Sequence, residues 1–431
     1  MPAKQTDHWP TTVGYFATFV ILGLQTASLG PTLPGLAAQT GVPLGAISVL
    51  FTAHALGYMF GSFFGGRLYD RIAGHPVMTG MLFISAATLA LVPVIPVLWL
   101  LMAAWLVLGV TGGALDVGGN TLMVWLHGRE VGPFMNALHF FFGVGSFLAP
   151  LIVAQALTLS GHVTTAYWVL AILVLPAALW LIRQPCPSSQ TDTPTPEVAP
   201  GPASTGTPSL ALGTPIAAVS SPLDSSRPST RHQDSERRTV VLIALLLGLY
   251  VAAEASFGGW IYTYAVALDL SDATMAAYLT SAFWGALTAG RLLSIPLAAR
   301  FRPGILLAAD LGGCVASVGA LLLWPDSRVV IWAGTLGLGL SMASVFPTAI
   351  TLAGRRLSLT GQVTGWFLVA GSLGAMSLPW VIGQLFEPIG PESAMVLIFL
   401  DLILAAAVLV PLLKGGQAHT LPSQAGSGGR G

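Results

Sequence analysis

Four acidic side chains stand inside long apolar runs: Asp116, Glu254, Asp310 and Asp401. A carboxylate in hydrocarbon is costly, so each must face a wet interior or a partner, and each is a candidate for binding or moving an ion. Asp116 is followed four residues later by Asn120, which on a helix puts both on one face. Gly112, Gly113, Gly118 and Gly119 flank them and allow close backbone approach, or local unwinding that exposes carbonyl oxygens. A carboxylate, an amide and carbonyls are hard oxygen ligands suited to sodium. The same carboxylate could instead carry a proton, as a group that is both charged and desolvated can. The blander alternative for this pair is a hydrogen bond that holds two helices together. Glu254, just before Gly258-Gly259-Trp260, is the second candidate for ion or substrate contact. Asp310 lies near Arg291, Arg300 and Arg302 in sequence and reads as an ion-pair partner, whereas Asp401 has no evident partner.

A polyhydroxy solute needs convergent hydrogen-bonding groups and a flat apolar face for its C–H side. Gln25, Thr26, Ser28, His54, Asn120, Asn136 and His139 supply the first, and Trp260, Tyr264, Trp284 and Trp366 the second. His54 and His139 can donate, accept or titrate near neutrality, although a lone buried histidine is more often structural. Aromatic residues in apolar runs also serve as interface belts or simple packing.

The elements that must position these groups follow from composition. The chain has 431 residues, 54% hydrophobic and 8% charged, with a mean hydropathy of +0.78. A water-soluble fold cannot hide that much apolar surface, so lipid is the expected solvent. Runs near 20 residues fall at 13–36, 43–66, 77–94, 97–126, 134–158 and 164–183, then at 239–264, 274–299, 304–324, 328–353, 362–385 and 392–413. The third and fourth are separated only by a turn around Pro93 and Pro96. The first is read as a permanent span rather than a cleaved signal peptide. With an internal N-terminus, sixteen of the 17 lysines and arginines fall on the inside and only Arg328 outside, the asymmetry expected of a multi-pass protein of the inner or plasma membrane with both termini cytoplasmic.

Between the sixth and seventh runs, residues 184–238 are dominated by Pro, Ser and Thr and read as a disordered cytoplasmic linker. The domain organisation is therefore an N-terminal tail (1–12), a six-helix bundle (13–183), the linker, a second bundle (239–413) and a C-terminal tail (414–431). Gly61, Gly66, Arg67 and Leu68 recur with the same spacing as Gly285, Gly290, Arg291 and Leu292, an internal repeat of the halves. Parallel six-helix repeats place a solute site near the bilayer midplane between them. No phosphate-binding loop, paired cysteines or zinc-binding helix occurs, which disfavours an enzyme or an ATP-driven pump. Cys186 and Cys314 lack metal-ligand spacing and are not expected to form a disulfide. Basic residues form no cluster, so no nucleic-acid partner is expected.

After the second run the chain reads Gly66-Arg67-Leu68-Tyr69-Asp70-Arg71, which resembles the loop signature of the major facilitator superfamily. The resemblance implies that Asp70, with Gly66 and Arg71, belongs to a conformational gate on the cytoplasmic face, and the repeat adds Arg291 to it. Four further patches are similar to the branch holding the L-fucose:proton symporter and the sodium-dependent glucose transporter-like proteins. They are Gly112 through Asn120, Asn136 through Gly143 and on to Pro150, Tyr250 through Trp260, and Phe346-Pro347-Thr348. One position departs: the fucose symporter pattern has an aspartate four residues before a proline in the first span, where this chain has Gly30 before Pro34.

The resulting expectation is an all-α membrane protein of about twelve transmembrane helices in two six-helix pseudo-symmetric halves. It is read as a monomeric secondary transporter in a lipid bilayer, not an enzyme, moving a small hydrophilic solute, a hexose above all, by alternating access. No cofactor is expected beyond sodium or a proton as coupling ion, with Asp116, Asn120 and Glu254 in contact with it. The alternatives are a drug or metabolite efflux carrier of the same superfamily, or a transporter-like nutrient sensor without flux.

Overall fold

In hydrocarbon no water satisfies the backbone, so an apolar run must close its own hydrogen bonds as a helix. The computed structural model describes residues 8–187, 230–357 and 361–415, and in it every expected run becomes a helix. The spans are 1 (Trp9–Thr40), 2 (Leu44–Tyr69), 3 (Gly74–Val94), 4 (Leu98–His127), 5 (Val131–Ser160) and 6 (Val163–Leu181), then 7 (Glu236–Ala267), 8 (Ala273–Arg300), 9 (Pro303–Leu323), 10 (Arg328–Gly354), 11 (Gly365–Ile389) and 12 (Glu392–Lys414).

Most ends shift by a few residues, and three differences bear on the organisation. Span 1 starts at Trp9, so residues 9–12 belong to the helix rather than to a tail. The seventh helix is already formed from Thr230, inside the segment assigned to the linker. Once a helix is nucleated each further residue adds a bond, and it runs on past the apolar stretch that defines the span. Residues 188–229 of that linker, and 1–7 and 416–431 of the tails, lie outside the described residues. Span 10 is two helices, Arg328–Met342 and Val345–Gly354, broken at Ala343 and Ser344.

The repeat read in the sequence is also a repeat of packing. Spans 2 and 4, 1 and 5, and 3 and 6 pack together in the first half, and 8 and 10, 7 and 11, and 9 and 12 in the second. Small residues make the closest pairs possible. A Cβ on Gly57 or Gly61 of span 2 would overlap the carbonyl oxygens of Leu106 and Val110 of span 4. The halves meet through spans 1 and 7, 2 and 11, and 5 and 8.

That meeting is tight at the end away from the chain termini. There the Leu44 amide donates to Glu387 Oε1 at 3.0 Å, Gln384 Nε2 donates to the Gly45 carbonyl at 2.6 Å, and Gln155 Nε2 donates to Tyr278 Oη at 2.7 Å. The Thr158 and Thr274 hydroxyls are 3.2 Å apart. Toward the opposite end the halves separate around a cavity of about 1090 Å³ that reaches Phe301, Pro303 and Arg355. The molecule is thus closed on one face and open on the face where span 1 begins.

Candidate functional site

The cavity is walled by spans 1, 2, 4 and 5 of one half and 7, 8, 10 and 11 of the other, with Pro303 and Leu306 of span 9 at its edge. Asp116 lines it, on the same helical face as Asn120, as the four-residue spacing requires. Tyr58 Oη of span 2 donates to Asp116 Oδ2 at 2.8 Å. Asn120 Nδ2 donates to Asp116 Oδ1 at 3.1 Å and to the Asp116 carbonyl at 2.8 Å. His139 of span 5 lies within electrostatic reach of Asp116. The carboxylate therefore has two hydrogen-bonded neighbours, Tyr58 and Asn120, with His139 in the same cavity lining.

Span 4 stays helical from Leu98 to His127, so the expected unwinding beside Asp116 does not occur. Its glycines serve close packing instead. A Cβ on Gly113 would overlap the Tyr58 carbonyl, and one on Gly118 the Tyr69 ring. These contacts bring Tyr58 within hydrogen-bond range of Asp116.

The opposite wall carries the other charges. Glu254 of span 7 and Arg291 of span 8 both line the cavity, with Oε1 and Nη2 4.0 Å apart and side-chain exposures of 16% and 28%. His139 is also within electrostatic reach of Arg291. Asp116 and His139 of the first half and Arg291 and Glu254 of the second thus line one cavity. Asn136, exposed at the start of span 5, and His54 line the same space. Trp284 is buried at its wall, with its indole nitrogen making no hydrogen bond, and its ring covers Gly258. Phe19, Phe51, Phe140, Phe142, Phe346 and Phe367 complete a largely apolar lining.

Several expected contacts are not made. Gln25 is buried in the first half, where its amide donates to the Leu108 carbonyl and its oxygen accepts from Ser85 Oγ at 3.3 Å. It ties spans 1, 3 and 4 together and does not line the cavity. Trp260 is fully buried, donates to the Pro379 carbonyl at 3.0 Å and stacks on Phe386 at 5.0 Å. Tyr264, 1% exposed, is likewise packed away from the cavity. Trp366 is 58% exposed on span 11 and lies outside the lining. Asp310 accepts a hydrogen bond from Ser344 Oγ and, among the described residues, pairs with no arginine. Asp401 Oδ2 is buried without a partner.

The gate residues divide. Asp70 and Arg71 end span 2 on the open face, exposed and, among the described residues, unpaired. Gly66 sits one turn earlier, its nearest possible Cβ contact being Val117 at 4.0 Å. Arg67 lies over the Phe63 ring at 4.1 Å, whereas its repeat counterpart Arg291 points into the cavity beside Glu254 rather than serving at the rim.

Gly30, at the departing position, crosses span 7 so closely that a Cβ would meet the Gly258 and Gly259 carbonyl oxygens at 2.7 and 2.9 Å. A carboxylate has no room there. Tyr58 was missed by sequence reasoning, although it stands four residues after His54 and so shares its face.

A family model described as Major Facilitator Superfamily matches residues 15–379. Sodium-dependent glucose transporter 1 of Danio rerio is 30% identical over 94% of this chain and 69% of its own length. The human protein of that name is 30% identical over 92% and 77%. Major facilitator superfamily domain-containing protein 4A of Danio rerio is 28% identical over 90% and 84%. Among solved structures, the nucleoside transporter NupG superposes with a TM-score of 0.72 at 12% identity, covering 94% of this chain and 99% of that one. An inward-facing, unoccupied bacterial homologue of the lysosomal transporter Spinster gives 0.65 at 11% identity, covering 95% and 96%.

Proposed function

The chain belongs to the major facilitator superfamily, and from that premise we propose that it moves a hexose or related small polyhydroxy solute across the membrane, coupled to sodium or a proton. The observation that carries this reading is the set of ionisable groups from both halves that lines one cavity between them. A carrier driven by an ion needs a site whose occupancy differs between its conformations, because a ligand shifts an equilibrium only through differential affinity. Asp116, with Tyr58 and Asn120, supplies such a site for the ion. Glu254, Arg291, Asn136 and His139 supply donors and acceptors for hydroxyls, and Trp284 lines the same cavity. The names of the relatives, sodium-dependent glucose transporters, support both the sugar and the ion.

The positive-inside asymmetry supports a cytoplasmic position for the open face, which makes the described state inward-open. Alternating access then requires the contacts of Gly45 with Gln384 and of Thr158 with Thr274 to part while spans 4, 5, 10 and 11 close over the cavity.

A second reading has its own support. The many phenylalanines of the lining suit an amphipathic drug or metabolite, as an efflux carrier of the same superfamily would bind. Uptake of a labelled hexose panel into proteoliposomes, under separately imposed sodium and proton gradients, tests the first reading. Concentrative uptake of one hexose under one gradient is the expected result. Neither uptake nor counterflow of any hexose, with gradient-driven movement of an amphipathic cation, would establish the second.

A further inference from the structure

Span 10 breaks where it meets a partly buried carboxylate. Its first segment ends at Met342, and the Ala343 amide reaches back only three residues, to the Leu340 carbonyl at 3.4 Å. The second segment restarts with the Thr348 amide on the Ser344 carbonyl at 3.0 Å. Pro347 has no N–H, so the Ala343 carbonyl four residues earlier loses its helical partner. A helix end leaves its last carbonyls unsatisfied, and in a membrane interior such groups need a partner other than lipid.

Asp310 of span 9 stands at this break. Its Oδ2 accepts the Ser344 hydroxyl hydrogen, and among the described residues no arginine or lysine pairs with it. Spans 9 and 10 come close here because Gly313 faces Ser341, where a Cβ would overlap Ser341 Oγ. Leu306 and Thr348, each one helical turn from Asp310 and Ser344 on the same faces, line the cavity, so the carboxylate sits just behind its wall.

We propose that Asp310, Ser344 and the carbonyl oxygens released at the break of span 10 form a binding site for a small monovalent cation, in the opposite half of the molecule from Asp116. The donor set is all hard oxygen, which suits sodium. Its single carboxylate balances one charge, so a divalent ion would leave an uncompensated charge at membrane depth. Discontinuous helices that present carbonyl oxygens are a recurrent way for transporters to hold sodium. The proposal rests on the fold and this local geometry and does not depend on the solute being a sugar.

The test is thermal unfolding of the purified full-length protein in detergent, in sodium chloride against potassium chloride and N-methyl-D-glucamine chloride at equal ionic strength. Binding to the native state alone raises the midpoint, and sodium at about tenfold its dissociation constant should raise it by about 2–4 °C. The shift should persist in Asp116→Asn, be diminished in Asp310→Asn, and be absent when both carboxylates are neutralised. Ser344→Ala, which keeps the carboxylate and serves should Asp310→Asn not fold, should need about tenfold more sodium for the same shift, the loss of one ligand's contribution. An unchanged shift in Asp310→Asn or in Ser344→Ala overturns the site. A shift abolished by Asp116→Asn but not by Asp310→Asn also overturns it, while leaving the coupling site of the cavity standing. Absence of any sodium-specific shift in the native protein overturns it outright.

Discussion

Tyr58 and Asp116, 58 positions apart in sequence, are joined by a 2.8 Å hydrogen bond from phenol to carboxylate across the cavity side of spans 2 and 4. The phenol fixes one carboxylate oxygen and leaves the other to Asn120, so the orientation of the proposed ion ligand depends on two neighbouring helices. Tyr58→Phe keeps the ring and removes only the donor. A hydrogen bond to a charged group contributes roughly 1.5–3 kcal/mol. The half-saturating concentration of the coupling ion is therefore expected to rise about 10- to 100-fold, with little change in thermal stability. An unchanged ion dependence of uptake would separate Tyr58 from coupling.

Asp116→Asn is expected to abolish gradient-driven accumulation more than it harms exchange. Asparagine matches the neutral acid in shape but cannot release a proton and is a weaker sodium ligand. Solute could still shuttle between the two faces, so counterflow should survive while concentrative uptake is lost. Both are measured side by side in proteoliposomes at matched protein. Wild-type accumulation in this variant would falsify the assignment and move the coupling role to Glu254.

Glu254 and Arg291 are expected to be energetically coupled. Each single neutralisation, Glu254→Gln or Arg291→Gln, leaves the other charge without its partner beside an apolar lining. The double variant should be more stable than the sum of the single effects predicts, with an interaction on the order of 1 kcal/mol given that both side chains are partly exposed. Thermal unfolding of the four proteins in one detergent gives the cycle. Strict additivity would show that water in the cavity screens the pair.

The spans were legible because hydrocarbon leaves an apolar run no fold but the helix. Their ends were less so, since a helix started in lipid continues into polar sequence, as at Thr230 and Trp9. The break at Ser344 was hidden inside a continuous apolar run, and its one sign was Pro347. At the site, the face shared by Asp116 and Asn120 followed from spacing alone. Gln25, Trp260, Tyr264 and Trp366 could not be placed that way. A membrane helix is apolar all round, so depth in the bilayer can be counted but the direction of a side chain around the axis cannot. The pairing of Glu254 with Arg291 joins two helices whose relative rotation no local pattern records.

Gly30→Asp, which would restore the acid of the fucose symporter pattern, is expected to destroy the fold rather than to install proton coupling. A Cβ at this position would already meet the Gly258 carbonyl at 2.7 Å, and backbone at a helix crossing cannot move aside as a flexible side chain can. Even Gly30→Ala should lower the monodisperse yield in fluorescence-detected gel filtration, and Gly30→Asp more so. Well-folded Gly30→Asp protein would mean that spans 1 and 7 cross less closely than described.

The closed end offers the most direct check of the conformational cycle. The hydroxyls of Thr158 on span 5 and Thr274 on span 8 are 3.2 Å apart, so cysteines at both positions bring two sulfurs within bonding range. Of the native cysteines, Cys314 is buried and Cys186 exposed, so Cys186→Ser gives a clean background. In that background, Thr158→Cys with Thr274→Cys should cross-link on mild oxidation and hold the two halves together at that end. Transport requires this end to open, because solute can leave the cavity on the other side only when the contacts between spans 5 and 8 part. Oxidation is therefore expected to stop counterflow almost completely, and reduction to restore it, while each single cysteine variant is unaffected by either treatment. Binding of solute to the oxidised protein from the open face should persist, which distinguishes a locked carrier from a damaged one. Full counterflow by protein shown to be cross-linked would mean that spans 5 and 8 stay together throughout the cycle, and the moving contact would then have to be sought between spans 2 and 11.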